Sequence, residues 1–407
     1  MQKKYSADVV VIGGGAVGCS AAYHLAKKGK KVILCEMNNI ASGATGRCGG
    51  MVVHCYGRDF NIDKADYRLL FTRANTEVMN ECKKTFDIDF EFRQVGCLDI
   101  AVSIEEYEHL GELIQIQRTL GDNEIELLDK KQTLDIMPNL NSKSVVGSRF
   151  RKSDGNLNPF LLARSFYWEA QKLGAEIMTH TKVKKILASK GSVEGVYINE
   201  DMVIECGNVV NATNAWISLI TPETEIIPVR GVAMLTERLP KLPPQPFEMY
   251  CLGDFAYGCT QTASGNYNLG GAAPPVGPGY DYYDENIYSD EVIRVMSFIG
   301  EIFPSLRNVS VIRSWTGALA FTPDGLPSIG PMPGVKGLFV AAGYPAGMSW
   351  AVVSGKLAAE YIADGKASLP IERLNPGRFI GKPKVKWPQP YDMTFLHEFL
   401  LKEGGKN

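Results

Sequence analysis

The sequence predicts an α/β fold joined to an α+β part, in which one domain is assembled from separate stretches of the chain. A strand–turn–helix–strand unit lies at residues 7–35, further βα units recur near the middle and near the C-terminal end, and consecutive strands without helices lie over residues 229–271. These three observations predict a discontinuous first domain with a second domain inserted in it. The expected division is 1–85, 144–223 and 312–380 for the first domain, 86–143 and 224–311 for the second, and 381–407 for a C-terminal tail.

Length, charge and cysteine content exclude several classes of protein. The 407 residues suffice for two or three domains with their own cores. Lysine and arginine number 43 and aspartate and glutamate 45, and this balance argues against a nucleic-acid-binding protein. The nine cysteines are odd in number and form no C-x-x-C pair, so neither a disulfide framework nor a cysteine-based metal site is expected. They indicate a reducing compartment.

Two apolar segments are similar to membrane signals, and neither is interpreted as one. The run ending at Cys19 is interrupted by Asp8, and no small-residue cleavage site follows it. Residues 337–355 carry no charge, but their four glycines and Pro345 favour strand, turn and buried helix. We expect a cytoplasmic protein without a transmembrane segment, with peripheral attachment to the inner face of the membrane as the alternative.

The first unit is the most regular part of the pattern. Residues 7–12 form a β-branched run, which is typical of a parallel strand covered on both faces. A turn at 13–18 leads into a helix with apolar residues at helical spacing, which ends at Gly29. The second strand, at 31–35, completes a βαβ-sized unit.

Later elements follow from apolar periodicity and from the positions of Gly and Pro. In one predicted helix Pro159 lies near the start and Gly174 just past the end, where each is favoured. Helices are predicted at 66–84, 104–120, 124–140, 159–172, 290–303 and 393–402, strands at 88–102, 176–187 and 208–213, and a hairpin at 191–205.

The turn at 13–18 has the spacing G-x-G-x-x-G, formed by Gly13, Gly15 and Gly18. The first glycine permits a tight turn, the second lets the backbone approach a pyrophosphate, and the third lets the helix pack on the strand. Glu36 ends the second strand, where a carboxylate can accept hydrogen bonds from ribose hydroxyls and disfavours NADP. Together these features predict a dinucleotide site.

A second glycine-rich segment, residues 42–51, directly follows this acid. A nicotinamide enzyme has no need of one, whereas a flavoprotein needs backbone that runs beneath the pyrophosphate and the flavin edge. The alternative is a flexible surface loop. We therefore predict FAD, held by a Rossmann-type FAD-binding domain of discontinuous segments with an inserted antiparallel-sheet substrate domain.

Seven segments carry a resemblance to a known family, namely VVVIGGGAVG (9–18), SGATGRCGG (42–50), DGNLNP (154–159), VVNATNAW (209–216), PVRG (228–231), TPDGLPSIG (322–330) and GLFVAAGYPAGM (337–348). With them the chain resembles the D-amino-acid-oxidase-like flavoproteins. That family includes glycine oxidase, sarcosine oxidase, and the β subunits of proline, hydroxyproline and opine dehydrogenases and of hydrogen cyanide synthase. The resemblance covers residues 7 to about 380 and identifies no single substrate.

The resemblance also implies cofactor contacts. Val183 would contact adenine, and Trp216 would close over the adenosine half. Gly347 and Met348 would lie under the flavin at the start of the last long helix, whose N-terminus favours negative charge on the reduced ring. The expected cofactor-binding residues are Gly13, Gly15, Ala16, Val17, Gly18, Glu36, Met37, Ser42, Gly43, Thr45, Arg47, Cys48, Gly49, Gly50, Met51, Val183, Ala212, Thr213, Trp216, Gly343, Gly347, Met348 and Ser349.

The reaction implied by the resemblance is oxidation of a C–N bond next to a carboxylate in an amino or imino acid. A hydride passes from the substrate Cα to flavin N5, and the imine hydrolyses in water. The protein is therefore expected to be an FAD-dependent amine or amino acid oxidoreductase. No dedicated base is needed if the amine binds in its neutral form.

A substrate carboxylate favours an arginine, whose planar fork binds two oxygens. Glycine oxidase has an arginine shortly before its TPDG-like motif, where this chain has Ala320 and Phe321, and the arginines of monomeric sarcosine oxidase correspond to Gly50 and Val53. For each remaining arginine a structural role is the alternative, and for His54 a hydrogen-bonded loop position. The candidates are Tyr257, His54 and Arg313 for catalysis, and Arg58, Arg230, Tyr250 and Asn268 for substrate binding.

Asn268 bears on the electron acceptor. Monomeric sarcosine oxidase places a lysine near flavin N5, just before a Leu-Gly pair in a strand, and Asn268 occupies the comparable position here. Without that cation we expect a dehydrogenase that passes electrons to a second subunit or a quinone. The alternatives are an oxidase that reduces oxygen and a flavin electron-transfer subunit without its own substrate site.

The C-terminal tail carries an apolar stripe over residues 395–400. This stripe is either packed on its own domain or a contact for another subunit.

Overall fold

The computed structural model describes residues 5–54, 62–199, 202–241, 247–250, 256–272, 283–344 and 346–383, with side chains omitted at 62–64, 247–250, 256–257 and 272. In this part of the chain the α-helices are α1 (Ala16–Lys27), α2 (Ala44–Arg47), α3 (Ile62–Thr85), α4 (Ile104–Thr119), α5 (Lys130–Ile136), α6 (Pro159–Lys172), α7 (Ser289–Ile302) and α8 (Ala351–Asp364).

The strands of the same ranges form four sheets. They are β1 (Tyr5–Ser6), β2 (Val9–Ile12), β3 (Val32–Cys35), β4 (Met51–Val52), β5 (Cys97–Ala101), β6 (Ile125–Asp129), β7 (Gly147–Arg151), β8 (Gly155–Asn156), β9 (Glu176–Met178), β10 (Val183–Ser189), β11 (Ser192–Ile198), β12 (Met202–Glu205), β13 (Asn208–Asn211), β14 (Ile227–Arg238), β15 (Phe247–Tyr250), β16 (Ala256–Gln261), β17 (Asn266–Ala272), β18 (Val311–Phe321), β19 (Ser328–Pro331) and β20 (Leu338–Ala342).

The first large sheet has the strand order β19-β20-β13-β2-β3-β9, and all of its pairs are parallel except β19 with β20. All four residues of β2 are buried. Val9 and Val11 pack with residues of α1, α6 and α8, whereas Val10 and Ile12 pack with the small sheet β1-β12-β11-β10. This alternation follows from the two-residue repeat of a strand and explains the uninterrupted apolar run.

The second large sheet has the order β18-β14-β17-β16-β15-β5-β7-β6. Its pairs are antiparallel except for β15 with β5, so the inserted sheet is mixed rather than purely antiparallel. Leu269 on one face joins the apolar cluster under α7, and its neighbours Asn268 and Gly270 line a large cavity on the other face. One face of this sheet therefore packs in the apolar core under α7, and the other face forms part of the cavity wall.

Two predicted domain boundaries divide this sheet. The boundary at 144 falls before β7, and the boundary at 312 falls inside β18, yet hydrogen bonds place both strands in the eight-stranded sheet. We propose that the second domain extends through 151 and through 321. The remaining division stays a prediction, and the tail beyond 383 lies outside the described residues.

Most predicted elements are present, and three differ. The predicted helix at 159–172 has the bounds of α6, with Asn158 as its N-cap. The helix predicted at 124–140 was wrong in its first part, because 125–129 form β6 and the capping box of Asp129 starts α5 only afterwards. The strand predicted at 176–187 is two strands in different sheets, and that predicted at 88–102 is regular only over β5. The predicted helix at 393–402 lies outside the described residues.

Across the described ranges, no helix has the length and apolar character needed to span a bilayer.

Candidate active site

A cavity of about 1060 Å³ lies between the six-stranded sheet and the face of the eight-stranded sheet that carries Asn268 and Gly270. This is the upper end of the range for small-molecule and cofactor sites. Its wall contains the carboxyl ends of β2 and β3, where ligands bind in open parallel sheets. A long cavity in this position suits an extended ligand such as a dinucleotide.

The first glycine turn forms part of the cavity wall. Gly13 has φ of +104°, and a Cβ there would lie 2.9 Å from the carbonyl oxygen of Ala212. A Cβ on Gly18 would lie only 1.9 Å from the carbonyl oxygen of Gly13. Gly15 is the N-cap of α1 and offers no side-chain cap, whereas Thr45 Oγ1 accepts from the N–H of Ala16 at 3.0 Å. The helix N-terminus lines the cavity through Gly15, Ala16 and Val17. This cradle fits a pyrophosphate.

Glu36 lies at the end of β3 on the cavity wall. One carboxylate oxygen accepts a hydrogen bond from the backbone N–H of Gly14 at 2.7 Å, and the other accepts one from that of Asn38 at 2.8 Å. These two bonds fix the carboxylate while leaving it on the cavity surface. A carboxylate held in this way can accept further hydrogen bonds from ribose hydroxyls.

We predict that Glu36→Ala weakens flavin retention roughly 100-fold without unfolding the chain, because about two charge-assisted hydrogen bonds to the ribose are lost. Glu36→Gln should fall between the wild type and the alanine variant. The measurement is the flavin released on extensive dilution, followed by its fluorescence. A purified alanine variant with undiminished yellow colour would contradict the ribose role.

The second glycine-rich segment is tied to the eight-stranded sheet by Arg47. Its Nε donates to the carbonyl of Ser42 and its Nη1 to that of Thr316, each at 3.0 Å, and its Nη2 pairs with Glu285 at 2.5 Å. In return the indole N–H of Trp315 donates to the carbonyl of Arg47 at 2.9 Å. The segment is therefore an ordered part of the cavity wall, which excludes the alternative of a flexible surface loop.

The turn that precedes α8 is fastened by side chains from two other elements. Ser349 Oγ accepts from the backbone N–H of Val53 at 2.9 Å. Asn75 of α3, which is fully buried, accepts from the N–H groups of Val352 and Val353 and donates to the carbonyl of Met348. Asn75 thus satisfies two of the first N–H groups of α8. Gly347 and Met348 of the turn before this helix line the cavity.

The cavity brings together most of the predicted cofactor residues. Gly18, Gly343 and Ser349 do not line it. Gly18 packs against the turn, Gly343 donates its N–H to Asn214, and Ser349 holds Val53. The predicted residues that line the cavity are Gly13, Gly15, Ala16, Val17, Glu36, Met37, Ser42, Gly43, Thr45, Arg47, Cys48, Gly49, Gly50, Met51, Val183, Ala212, Thr213, Trp216, Gly347 and Met348.

Two of the predicted arginines lie away from the cavity. Arg230 has no exposed surface, and its guanidinium pairs with Glu291 and donates to the backbone carbonyls of Asp284 and Asn286. Arg313 is exposed on β18, with its guanidinium over the ring of Trp315. A substrate role for either residue does not fit this structure. Arg230 instead fixes the segment that carries Tyr283 and Glu285 along the cavity wall.

His54 is buried beside the cavity rather than in its lining. Its Nδ1 lies 2.6 Å from Asp154 Oδ1, which also accepts from the His54 backbone N–H, and its Nε2 lies 3.3 Å from Thr76 Oγ1. This placement fits the hydrogen-bonded loop histidine that was the alternative interpretation, and not a catalytic one.

The other candidates divide into two groups. Asn268 lines the cavity, and its Nδ2 lies 3.5 Å from the carbonyl of Cys48. Arg58 lies outside the described residues, and so do the side chains of Tyr250 and Tyr257. For these three the substrate or catalytic role stays a prediction.

Cavity residues that the sequence did not indicate include Arg68, Tyr283 and Thr260. Tyr283 stacks on Trp216 with ring centroids 5.5 Å apart, and its hydroxyl donates to the carbonyl of Ala215. No sequence signal marks these side chains, because each is held at the cavity by contacts with residues that are distant in the sequence. Among the described residues no group of three or more His, Cys, Asp or Glu side chains could hold a metal ion.

The TPDG segment is anchored by an ion pair that has a consequence at low pH. Arg378 donates to both carboxylate oxygens of Asp324, at 2.8 and 2.9 Å. Burial disfavours ionisation of Asp324, but the hydrogen bonds and positive charge of Arg378 outweigh it and hold the pKa of Asp324 below its ordinary value. The pair therefore stabilises the fold above the ordinary carboxyl pKa, and this contribution is lost as the pH falls through the lowered pKa.

We predict that Arg378→Met lowers the free energy of unfolding at pH 7 by roughly 2 kcal/mol and flattens its decline below about pH 4. Arg373→Met is the control, because that guanidinium lies over the ring of Tyr67 at 5.3 Å and pairs with no carboxylate among the described residues. Urea unfolding at pH 7, 4 and 3 would test this. An acid limb of equal steepness in wild type and Arg378→Met would refute the assignment.

Comparisons with known proteins agree with this site. Residues 8–361 match the family described as DAO, FAD dependent oxidoreductase. Human mitochondrial dimethylglycine dehydrogenase is 26% identical over 93% of this chain, which spans 45% of that protein, and glycine oxidase of Geobacillus kaustophilus is 26% identical over 93% of this chain and 99% of its own. The chain thus spans less than half of the dimethylglycine dehydrogenases that it matches.

Among solved structures, L-proline dehydrogenase from P. horikoshii superposes with a TM-score of 0.81 at 30% identity and covers 93% of this chain and 98% of its own. The glycine cradle, the fixed Glu36 carboxylate and the length of the cavity all fit FAD, which is the cofactor of this family. The chain therefore belongs to the DAO family of FAD-dependent oxidoreductases.

Proposed function

We propose that this protein is a dehydrogenase that oxidises the C–N bond of a small amino or imino acid with FAD. The observation that carries the proposal is the extent of the cavity. Beyond the glycine cradle and Glu36 it continues between the turn at 346–348 and the face of the eight-stranded sheet, so it has room for a second, smaller ligand.

Small residues of four adjacent strands create this room. Gly231, Gly258, Gly270 and Gly317 all line the cavity. Gly258 and Gly270 are paired across two strands, and so are Gly231 and Gly317. A floor with few side chains suits a planar ring and a small substrate. Bound FAD supplies the acceptor for the hydride, and the chain supplies the enclosure and the orientation.

The described side chains around this room have limited acid–base capacity. Asn268 and Thr260 are cross-strand neighbours that offer an amide and a hydroxyl. Burial raises the pKa of the Cys48 thiol to about 11, so that this thiol stays protonated at neutral pH. These groups can orient an amine by hydrogen bonds but cannot remove a proton from an ammonium ion near pH 7. The proposed reaction therefore uses substrate bound as the neutral amine.

The names of the relatives support this substrate class, since they include glycine oxidase, dimethylglycine dehydrogenase and L-proline dehydrogenase. The test is anaerobic mixing with glycine, sarcosine, dimethylglycine, proline, hydroxyproline and D-amino acids, followed by loss of the flavin absorbance band. At least one of these should bleach the band within seconds. A flavin that dithionite reduces and none of these compounds reduces would favour the electron-transfer subunit without a substrate site.

A further inference from the structure

Asn214 joins the segments that follow two neighbouring strands of the six-stranded sheet. β13 and β20 are parallel partners, so the chain leaves both of them at the edge of the sheet where the cavity lies. The side-chain Oδ1 of Asn214 accepts the backbone N–H groups of Gly343 at 2.9 Å and of Tyr344 at 3.4 Å. These two bonds use both acceptor positions of the oxygen. Through this atom Asn214 therefore binds the protein and not a ligand.

The backbone conformation of both partners suits this contact. Asn214 has φ of +47°, in the left-handed region that asparagine tolerates better than most residues with a Cβ. Gly343 has φ of +83°, and a Cβ there would lie 2.8 Å from Thr322 Cγ2. Each of the two segments thus adopts a conformation that most residue types disfavour.

The segment that carries Asn214 is itself held together by the fully buried Asn211. Asn211 Oδ1 accepts from the backbone N–H of Thr213 at 3.3 Å and from its hydroxyl at 2.7 Å. Asn211 Nδ2 donates to Thr221 Oγ1 at 2.9 Å. Both ends of this segment are therefore joined to the end of β13. Thr213 and Trp216 of the segment line the part of the cavity where the adenosine half of FAD is expected.

The second segment leads from Gly343 to Gly347 and Met348, which line the part of the cavity where the flavin is expected. Asn75 holds the far end of this segment, because its Nδ2 donates to the carbonyl of Met348 at 3.0 Å. Asn214 holds the near end. The position of the flavin side of the wall thus depends on an amide that belongs to the adenosine side.

We propose that Asn214 is a positioning residue for FAD. It holds Gly343 and Tyr344 against the segment at 213–216, and so fixes the flavin side of the site relative to the adenosine side. The two sides then bind one cofactor as a single unit. This role concerns FAD alone and is independent of the substrate and of the electron acceptor.

The test uses two substitutions of Asn214 and one control. Asn214→Gly removes the amide and keeps a residue that adopts the left-handed conformation readily. Asn214→Asp keeps an oxygen that can accept both N–H groups. Lys190→Gly is the control, because Lys190 has φ of +48° on the exposed turn between β10 and β11 and is not among the residues of the cavity wall. Asn214→Ser, whose hydroxyl is too short to reach both N–H groups, carries the test if Asn214→Gly does not fold.

The first readout is calorimetric titration of each apoprotein with FAD and with ADP, which contains the adenosine and the pyrophosphate but no flavin. The second is the ratio of reduced to oxidised flavin in each FAD-loaded protein at equilibrium with a redox dye. Neither readout requires a substrate.

We expect Asn214→Gly to bind FAD roughly 30-fold more weakly, because two backbone hydrogen bonds are lost, and to bind ADP within about 3-fold of wild type. Its ratio of reduced to oxidised flavin should fall roughly 10-fold, or about 30 mV, since the backbone at 346–348 is held less firmly for the charge of the reduced ring. Asn214→Asp should change FAD and ADP binding by the same factor, because its charge acts on the pyrophosphate that both contain. Lys190→Gly should stay within about 2-fold of wild type for both ligands.

Equal losses of FAD and ADP affinity in Asn214→Gly would overturn the proposal, because Asn214 would then act on the adenosine half alone. So would unchanged affinity for both ligands, or a loss of FAD affinity with an unchanged ratio of reduced to oxidised flavin. Failure of the proposed amino acid oxidation would be seen separately, as a wild-type flavin that no amino acid reduces, and would leave these binding results unchanged.

Discussion

A Gly18→Ala variant is expected to be purified without flavin, with an affinity for FAD at least roughly 100-fold below that of the wild type. The added Cβ would lie 1.9 Å from the carbonyl oxygen and 3.1 Å from the carbonyl carbon of Gly13. Both atoms belong to the backbone of the turn, so no side-chain rotation relieves the contact. Helix α1 or the turn must shift, and either movement separates the helix N-terminus from the position of the pyrophosphate.

The measurement is the ratio of flavin to protein absorbance after desalting, followed by titration of the apoprotein with FAD. Gly207→Ala is the matched control, because a Cβ there has no heavy atom within 4 Å and its φ lies outside the left-handed region. It should retain FAD and its unfolding midpoint. A Gly18→Ala protein with full flavin occupancy would contradict the prediction, because it would show that the turn can shift without loss of FAD.

The glycine turn was predictable because its signal is local. Strand, glycines, helix and acid lie within 36 residues, and each has one backbone or charge requirement that the sequence displays. The central pair of the six-stranded sheet follows for the same reason, since β2 and β3 are short, buried, apolar strands separated by α1. The second sheet was harder to divide, because β7 carries two arginines in five residues and gives little sign of being an interior strand.

The side chains that complete the site could not be found in this way. Asn75 accepts from backbone groups 277 and 278 residues away, and nothing near it in sequence marks that contact. Arg230 was a reasonable candidate by residue type, but its partner Glu291 is 61 residues distant and removes it from the cavity. A buried arginine can bind a ligand or satisfy another element of the fold, and only its partners distinguish the two.

Asn268 is the position in the cavity that we expect to influence the choice of electron acceptor. Asn268 lines the wall from β17, with Thr260 opposite it on β16 and the carbonyl of Cys48 3.5 Å from its Nδ2. The Cys48–Gly49 backbone belongs to the glycine-rich segment expected to run along the flavin edge. The amide of Asn268 is neutral, so the described side chains of β16 and β17 in this part of the wall carry no charge.

We predict that the substrate-reduced wild type is reoxidised slowly by air and fast by a quinone or dye. We also predict that Asn268→Lys raises the rate constant for reoxidation by oxygen roughly 100-fold. A cation 4 Å from an electron-accepting oxygen molecule stabilises the negative charge by about 4 kcal/mol at an effective dielectric constant near 20, which exceeds the 2.7 kcal/mol that a 100-fold change requires. Asn268→Met, similar in length but neutral, should leave the oxygen rate near that of wild type. Stopped-flow reoxidation against oxygen and against the dye would measure all three proteins. If the wild type reacts with oxygen as fast as with dye, the protein is an oxidase, and if lysine and methionine act alike, the charge at this position does not control the acceptor.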